Sequence, residues 1–165
     1  MRRPGSLGEI VAGRLRQAGH TVAVAESSTG GLVSASLLAV PGASAWFLGG
    51  SVVYTARSRR ELLGIGAQDV AGLEPLTEAM AAKFAEIARR QLDATWGVAE
   101  LGIAGPTGAR YGHPPGISVI AVDGPVRRSA TIETGSADRE ENMWRFTEAA
   151  LALLDEAVIM SLKPA

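Results

Sequence analysis

The stretch Val22–Gly31, VAVAESSTGG, passes without a spacer from four small apolar residues into Glu26, three hydroxyl residues and two glycines. A short apolar run that stops at such residues reads as a buried strand ending in a loop. In open α/β sheets, ligands bind beyond the carboxyl ends of strands. Backbone N–H groups at the start of the following helix favour an anion. Gly30 and Gly31 allow close approach to the backbone, and Ser27, Ser28 and Thr29 supply donors or a nucleophile. Serine and threonine are also the best helix N-caps, so a capped turn and a ligand loop are both open on these residues alone.

Outward from this stretch, strands and helices alternate. Upstream, SLGEIVAGRLRQAG reads as a helix with Ser6 and Glu9 as a capping box and Gly19 as its end. Downstream, GGLVSASLLAV is helical until Pro41-Gly42, and AWFLGGSVVYT is a strand region. SRRELLGIG is a short helix. LTEAMAAKFAEIARRQLDA repeats its apolar residues at helical spacing. WGVAELGIAG is a strand running into a Gly-Pro loop. GISVIAV and RRSATIET form a hairpin across Asp123-Gly124-Pro125. A last helix covers REENMWRFTEAALALLDEAVIMSL. This order predicts an α/β fold: a three-layer α/β/α sandwich on a mixed, mainly parallel sheet, antiparallel near its end.

The 165 residues suit one domain over 1–165. With 47% hydrophobic and 20% charged residues and a net charge of −1, the chain reads as globular, without the basic field of a general nucleic-acid binder. There is no cysteine and only two histidines, His20 and His113, so no metal site is expected and a cytoplasmic location fits. No segment reaches the ~18 apolar residues of a membrane span. MRRPGSLGEI does not read as a signal peptide.

Three further clusters carry chemistry. In VVYTARSRR, Tyr54, Thr55 and Arg59 suit either an anion site or a solvated basic turn. GPTGARYGHPPG holds four glycines and three prolines in its twelve residues, so it is a loop, either a ligand cradle or a tight turn. In SADREEN, Asp138, Glu140 and Glu141 suit a helix start, and Arg139 does not. Trp144 beside them suits a subunit interface, and a homo-oligomer is expected.

Taken in order, AESSTGG, VPGASAWFLGGSVVYT, RRELLGI, GIAGP and SADRE resemble the carboxy-terminal domain of the competence/damage-inducible CinA family. The resemblance is to its stand-alone members, which include nicotinamide-nucleotide amidohydrolases. The family's usual first domain, similar to a molybdopterin-cofactor-biosynthesis module, has no counterpart in the match. The resemblance implies hydrolysis of the carboxamide of nicotinamide mononucleotide to nicotinate mononucleotide and ammonia, with no cofactor. It implies Ser27, Tyr54 and Arg59 as catalytic positions. It implies Glu26, Ser28, Thr29, Gly30, Gly31, Thr55, Gly105, Pro106 and Arg139 as ligand-binding positions. Several positions depart from the family pattern. Ser28 replaces a cysteine, Ala56 an asparagine and Arg59 a lysine. Leu101 and Ile117 replace hydroxyl residues, His113 a lysine and Met143 an arginine. Arginine stays protonated where a desolvated lysine can act as a base. A second expectation follows: a non-catalytic relative that binds a nucleotide, or an interaction protein in competence or DNA damage.

Overall fold

The computed structural model describes residues 4–163. In chain order the elements are α1 (Pro4–Ala18), β1 (Val22–Glu26), α2 (Leu32–Leu38), β2 (Phe47–Val52), α3 (Ala56–Leu63), α4 (Glu78–Gln91), β3 (Trp96–Ile103), β4 (Ile117–Asp123), β5 (Arg128–Glu133) and α5 (Arg139–Ser161). The sheet order is β2-β1-β3-β4-β5. β1 lies between β2 and β3 and pairs with both in parallel, whereas β3–β4 and β4–β5 are antiparallel. Four strands therefore share one direction and β4 opposes them, which is the mixed, mainly parallel sheet expected from the sequence.

Strand alternation divides the apolar residues between the two faces. Val22, Val24, Val98, Ile120 and Val122 pack with Val11, Leu15, Leu37 and Leu154, from α1, α2 and α5. Ala25, Ala99, Leu101 and Val119 pack on the other face with Leu63, Met80, Phe84 and Ala88, from α3 and α4. The small residues at 25 and 99 let α4 sit close. A Cβ on Gly97 would lie 2.0 Å from the Ala85 carbonyl oxygen, so only glycine fits under α4.

Local signals account for most boundaries. α1 ends in a Schellman motif: Gly19 sits at φ +67°, its N–H donates to Arg16 O, and His20 N–H donates to Leu15 O. Thr77 caps α4 and Asp138 caps α5. Three expectations shift. α1 already runs from Pro4, so Ser6 lies within its first turn and does not cap it. β2 stops at Val52, so Tyr54 and Thr55 lie beyond the strand. Ala45, expected at the start of a strand, instead ends a turn of 3₁₀-helix over Ala43–Ala45. Trp46, Trp96 and Phe146 are buried and Trp144 is half-buried. His20 Nδ1 accepts a hydrogen bond from Trp96 Nε1 at 3.1 Å. The reading of MRRPGSLGEI as no signal peptide falls in part on residues 1–3, which lie outside the described residues. Among the described residues no helix is long and apolar enough to cross a membrane.

Candidate active site

The loop after β1 is organised by two buried carboxylates. Glu26 ends β1 and is fully buried. Its Oε2 accepts from Thr29 Oγ1 at 2.7 Å, Gly31 N at 2.9 Å and Val33 N at 3.1 Å. Its Oε1 accepts from Ser34 N at 2.9 Å and Ser34 Oγ at 2.7 Å. The anion at the start of α2 is thus the protein's own glutamate, which holds the N–H groups that the sequence offered to a ligand. Gly30 and Gly31 have φ of +64° and +101°, a turn that other residues adopt only with strain. The Met143 methyl stands 3.1 Å from where a Cβ on Gly30 would be, so an apolar group closes that side of the turn.

The second carboxylate is Glu100 in the middle of β3, register partner of Glu26. It is 1% exposed. Its Oε2 accepts from Ser27 N at 3.2 Å, Thr29 N at 3.0 Å and Thr29 Oγ1 at 3.0 Å. Its Oε1 accepts from Ser28 Oγ at 2.5 Å and Ser118 Oγ at 2.9 Å. Glu100 therefore fixes the backbone of residues 27–29 and orients one of its hydroxyls.

Above this loop lies a cleft of about 850 Å³. Ser27, Ser28, Tyr54, Thr55, Arg59, Gly105 and Arg139 line it, so the structure brings these sequence-predicted positions together. Glu26, Thr29, Gly30, Gly31 and Pro106 are not among its lining residues. Arg110 and Tyr111, from the Gly-Pro loop, join the wall. Three arginines and two tyrosines thus line the space and no lining residue is acidic, so the lining carries net positive charge.

Each wall has its own support. Arg139 follows the Asp138 cap; its Nη1 donates to Gly105 O and its Nη2 to Tyr54 Oη at 3.2 Å. Asn142, one turn on and fully buried, donates to Ala104 O and Ser136 O, each at 2.8 Å, and accepts from Thr134 Oγ1. It fastens the GIAGP loop to α5. Thr55 caps α3, its Oγ1 accepting from Ser58 N. Arg59 lies over the Phe84 ring at 5.1 Å, and its Nε donates to Val53 O at 3.3 Å. Burial lowers the Arg59 pKa from its ordinary value, and Tyr111 opposes the shift. An arginine keeps its charge through such a shift. The Ser27 backbone is held by Glu100, while no partner is found for its hydroxyl among the described residues.

A family model described as the CinA C-terminal domain matches residues 5–158. The chain belongs to the CinA C-terminal domain family. It is 47% identical over 124 residues to a CinA-like protein of Prochlorococcus marinus (strain MIT 9313), covering 73% of this chain and 28% of that protein. It is 40% identical over 148 residues to a CinA-like protein of Anaeromyxobacter sp. (strain K), covering 90% of this chain and 36% of that protein. The chain thus spans about a third of the length of these curated relatives. Its structure superimposes on the competence/damage inducible protein CihA of Agrobacterium tumefaciens with a TM-score of 0.84 at 27% identity, covering 93% of this chain and 94% of that one. A CinA superfamily protein of Klebsiella pneumoniae gives a TM-score of 0.87 at 25% identity, covering 96% and 99%.

In this CinA C-terminal domain, sequence reasoning missed Glu100, Asn142, Arg110 and Tyr111. For Glu100 there was a signal, because a lone carboxylate inside the apolar strand WGVAELGI must find buried donors. Asn142 sat unremarked among the charges of SADREEN. Arg110 and Tyr111 lie in an aperiodic loop, where sequence pattern carries no direction.

Proposed function

We propose that this CinA C-terminal domain hydrolyses the carboxamide of a pyridine mononucleotide, nicotinamide mononucleotide, to the carboxylate and ammonia. The observation that carries the reading is the position of Ser27. Among the described residues its hydroxyl has no partner, and Ser27 lines a cleft shared with Arg59, Arg110 and Arg139 and with no acid. The arginines suit the phosphate, and Tyr54 and Tyr111 suit the pyridine ring or the ribose. In this reading the Ser27 oxygen attacks the carboxamide carbon. The C–N bond breaks, and the nitrogen leaves as ammonia with the serine proton. Water then cleaves the acyl ester, releasing the carboxylate and restoring the Ser27 hydroxyl. Arg59, a permanent cation, serves the oxyanion or the phosphate and not the base role of a lysine.

A second reading rests on the same residue. No titratable base hydrogen-bonds the Ser27 hydroxyl among the described residues, which suits a relative that binds the nucleotide without turning it over. Ammonia release from nicotinamide mononucleotide, measured on the purified protein beside Ser27→Ala, separates the two. Turnover that disappears in Ser27→Ala supports the amidohydrolase. Binding by calorimetry without ammonia supports the second reading. Neither signal overturns both.

A further inference from the structure

We infer that Ser28 selects a carboxamide over a carboxylate in the cleft because Glu100 takes its only hydroxyl proton. The inference rests on the pyridine-nucleotide reading and deepens it. Ser28 lines the cleft. Its Oγ lies 2.5 Å from Glu100 Oε1, deep in the loop. The Glu100 carboxylate receives two backbone N–H groups and faces the Ser28 and Ser118 hydroxyls, while the single Thr29 proton is shared with the nearer Glu26, so the groups around it are donors. An ionised carboxylate only accepts. The Ser28 proton therefore points inward, and toward the cleft Ser28 has lone pairs alone.

Gly102 keeps this oxygen uncovered. It too lines the cleft, and a Cβ there would lie 2.5 Å from Ser28 Oγ, 2.7 Å from Glu100 Oε1 and 2.9 Å from Ser118 Oγ. Ser28 is 4% exposed, and with no side chain at 102 nothing at that position stands between its oxygen and the cleft. A carboxamide –NH₂ is such a donor. A carboxylate has no hydrogen to give, and its charge would face both the lone pair and Glu100 beneath it. Ser28 thus favours the substrate over the product of the proposed reaction. Glu100 is a positioning residue that acts through Ser28.

Glu100→Gln gives a sharp test. Ser27 N–H and Thr29 N–H both donate to the Oε2 position, so the glutamine carbonyl oxygen is held there. Its –NH₂ then occupies the Oε1 position and donates to Ser28. The Ser28 proton turns to the cleft, and the preference shifts toward acceptors.

The experiment is calorimetric binding of nicotinamide mononucleotide and nicotinate mononucleotide to Ser27→Ala protein, which suppresses turnover. Ser28→Ala and Glu100→Gln are each added to that background, with folding checked by circular dichroism. The expected result is a preference of about tenfold or more for the amide, reduced to near unity by Ser28→Ala and reversed by Glu100→Gln. Should Ser28→Ala fail to fold, Glu100→Gln decides alone, and Ser28→Cys, a weaker donor and acceptor, replaces the first arm. A preference left unchanged by these variants overturns the inference and leaves the nucleotide reading standing. A preference for the carboxylate in the parent overturns it too, since the proton would then face the cleft. Binding of neither nucleotide overturns the nucleotide reading and this inference with it.

Discussion

Glu26 and Glu100, partners across two parallel strands, meet at one hydroxyl. Thr29 Oγ1 lies 2.7 Å from Oε2 of the first and 3.0 Å from Oε2 of the second. Both carboxylates are buried, and no cation pairs with either among the described residues. Their charge is carried by N–H and O–H donors alone, so each donor matters more than a surface hydrogen bond. Thr29→Val removes the shared donor and leaves the shape. We expect it to cost about 2–3 kcal/mol of unfolding free energy in urea titrations. Thr29→Ser restores the hydroxyl and should recover most of that loss.

Asn142 holds three groups from two loops. Asn142→Asp keeps the size and loses the two N–H donors to Ala104 O and Ser136 O. The expected outcome is a loss of about 2 kcal/mol or more, because a buried charge then faces two carbonyls. Hydrogen exchange should show the protection of residues 104–108 falling before that of β1.

Arg139 bridges Gly105 O and Tyr54 Oη through two different nitrogens. A lysine has one compact head and cannot span both. Arg139→Lys should leave stability within about 0.5 kcal/mol, since the position is at the surface. Nucleotide affinity should nevertheless fall by about tenfold, read by calorimetry. Unchanged affinity would remove Arg139 from the ligand site.

Glu86 has its pKa lowered, first by the hydrogen bond from Lys83, with burial opposing and the charges of Lys83, Arg90 and Arg127 assisting. A lowered folded-state value means that the stabilisation is present above the unfolded-state pKa and is lost as pH falls through the folded one. The pair is solvent-screened, so Glu86→Gln should cost about 1 kcal/mol or less near neutral pH. Denaturation from neutral to acid pH should show the difference from the parent vanishing below the folded-state value.

The fold was largely legible because its signals are local. Apolar alternation, the Gly19 stop and the long period in α4 each lie within one element. The loop at 26–31 was legible as a special site for the same reason. The division of labour within it was not. Whether Glu26 faces a ligand or α2 depends on where the N–H groups of residues 31–34 turn, and that follows from two positive φ angles in succession. Glu100 becomes Glu26's neighbour only through the pairing of β1 with β3, across 74 residues of chain. Burial of a carboxylate is a property of the assembled sheet, and no window of sequence contains it.

The helices at the two ends of the described chain share one face of the sheet, and Arg14 pairs with Asp155 between them. During synthesis, Val11, Leu15 and the inner faces of β1, β3 and β4 emerge well before Leu151, Leu154 and Val158 arrive to cover them. A growing chain thus carries an open apolar surface until α5 has left the ribosome, so this face of the sheet is completed late. The α3–α4 side has no such wait once β4 is made.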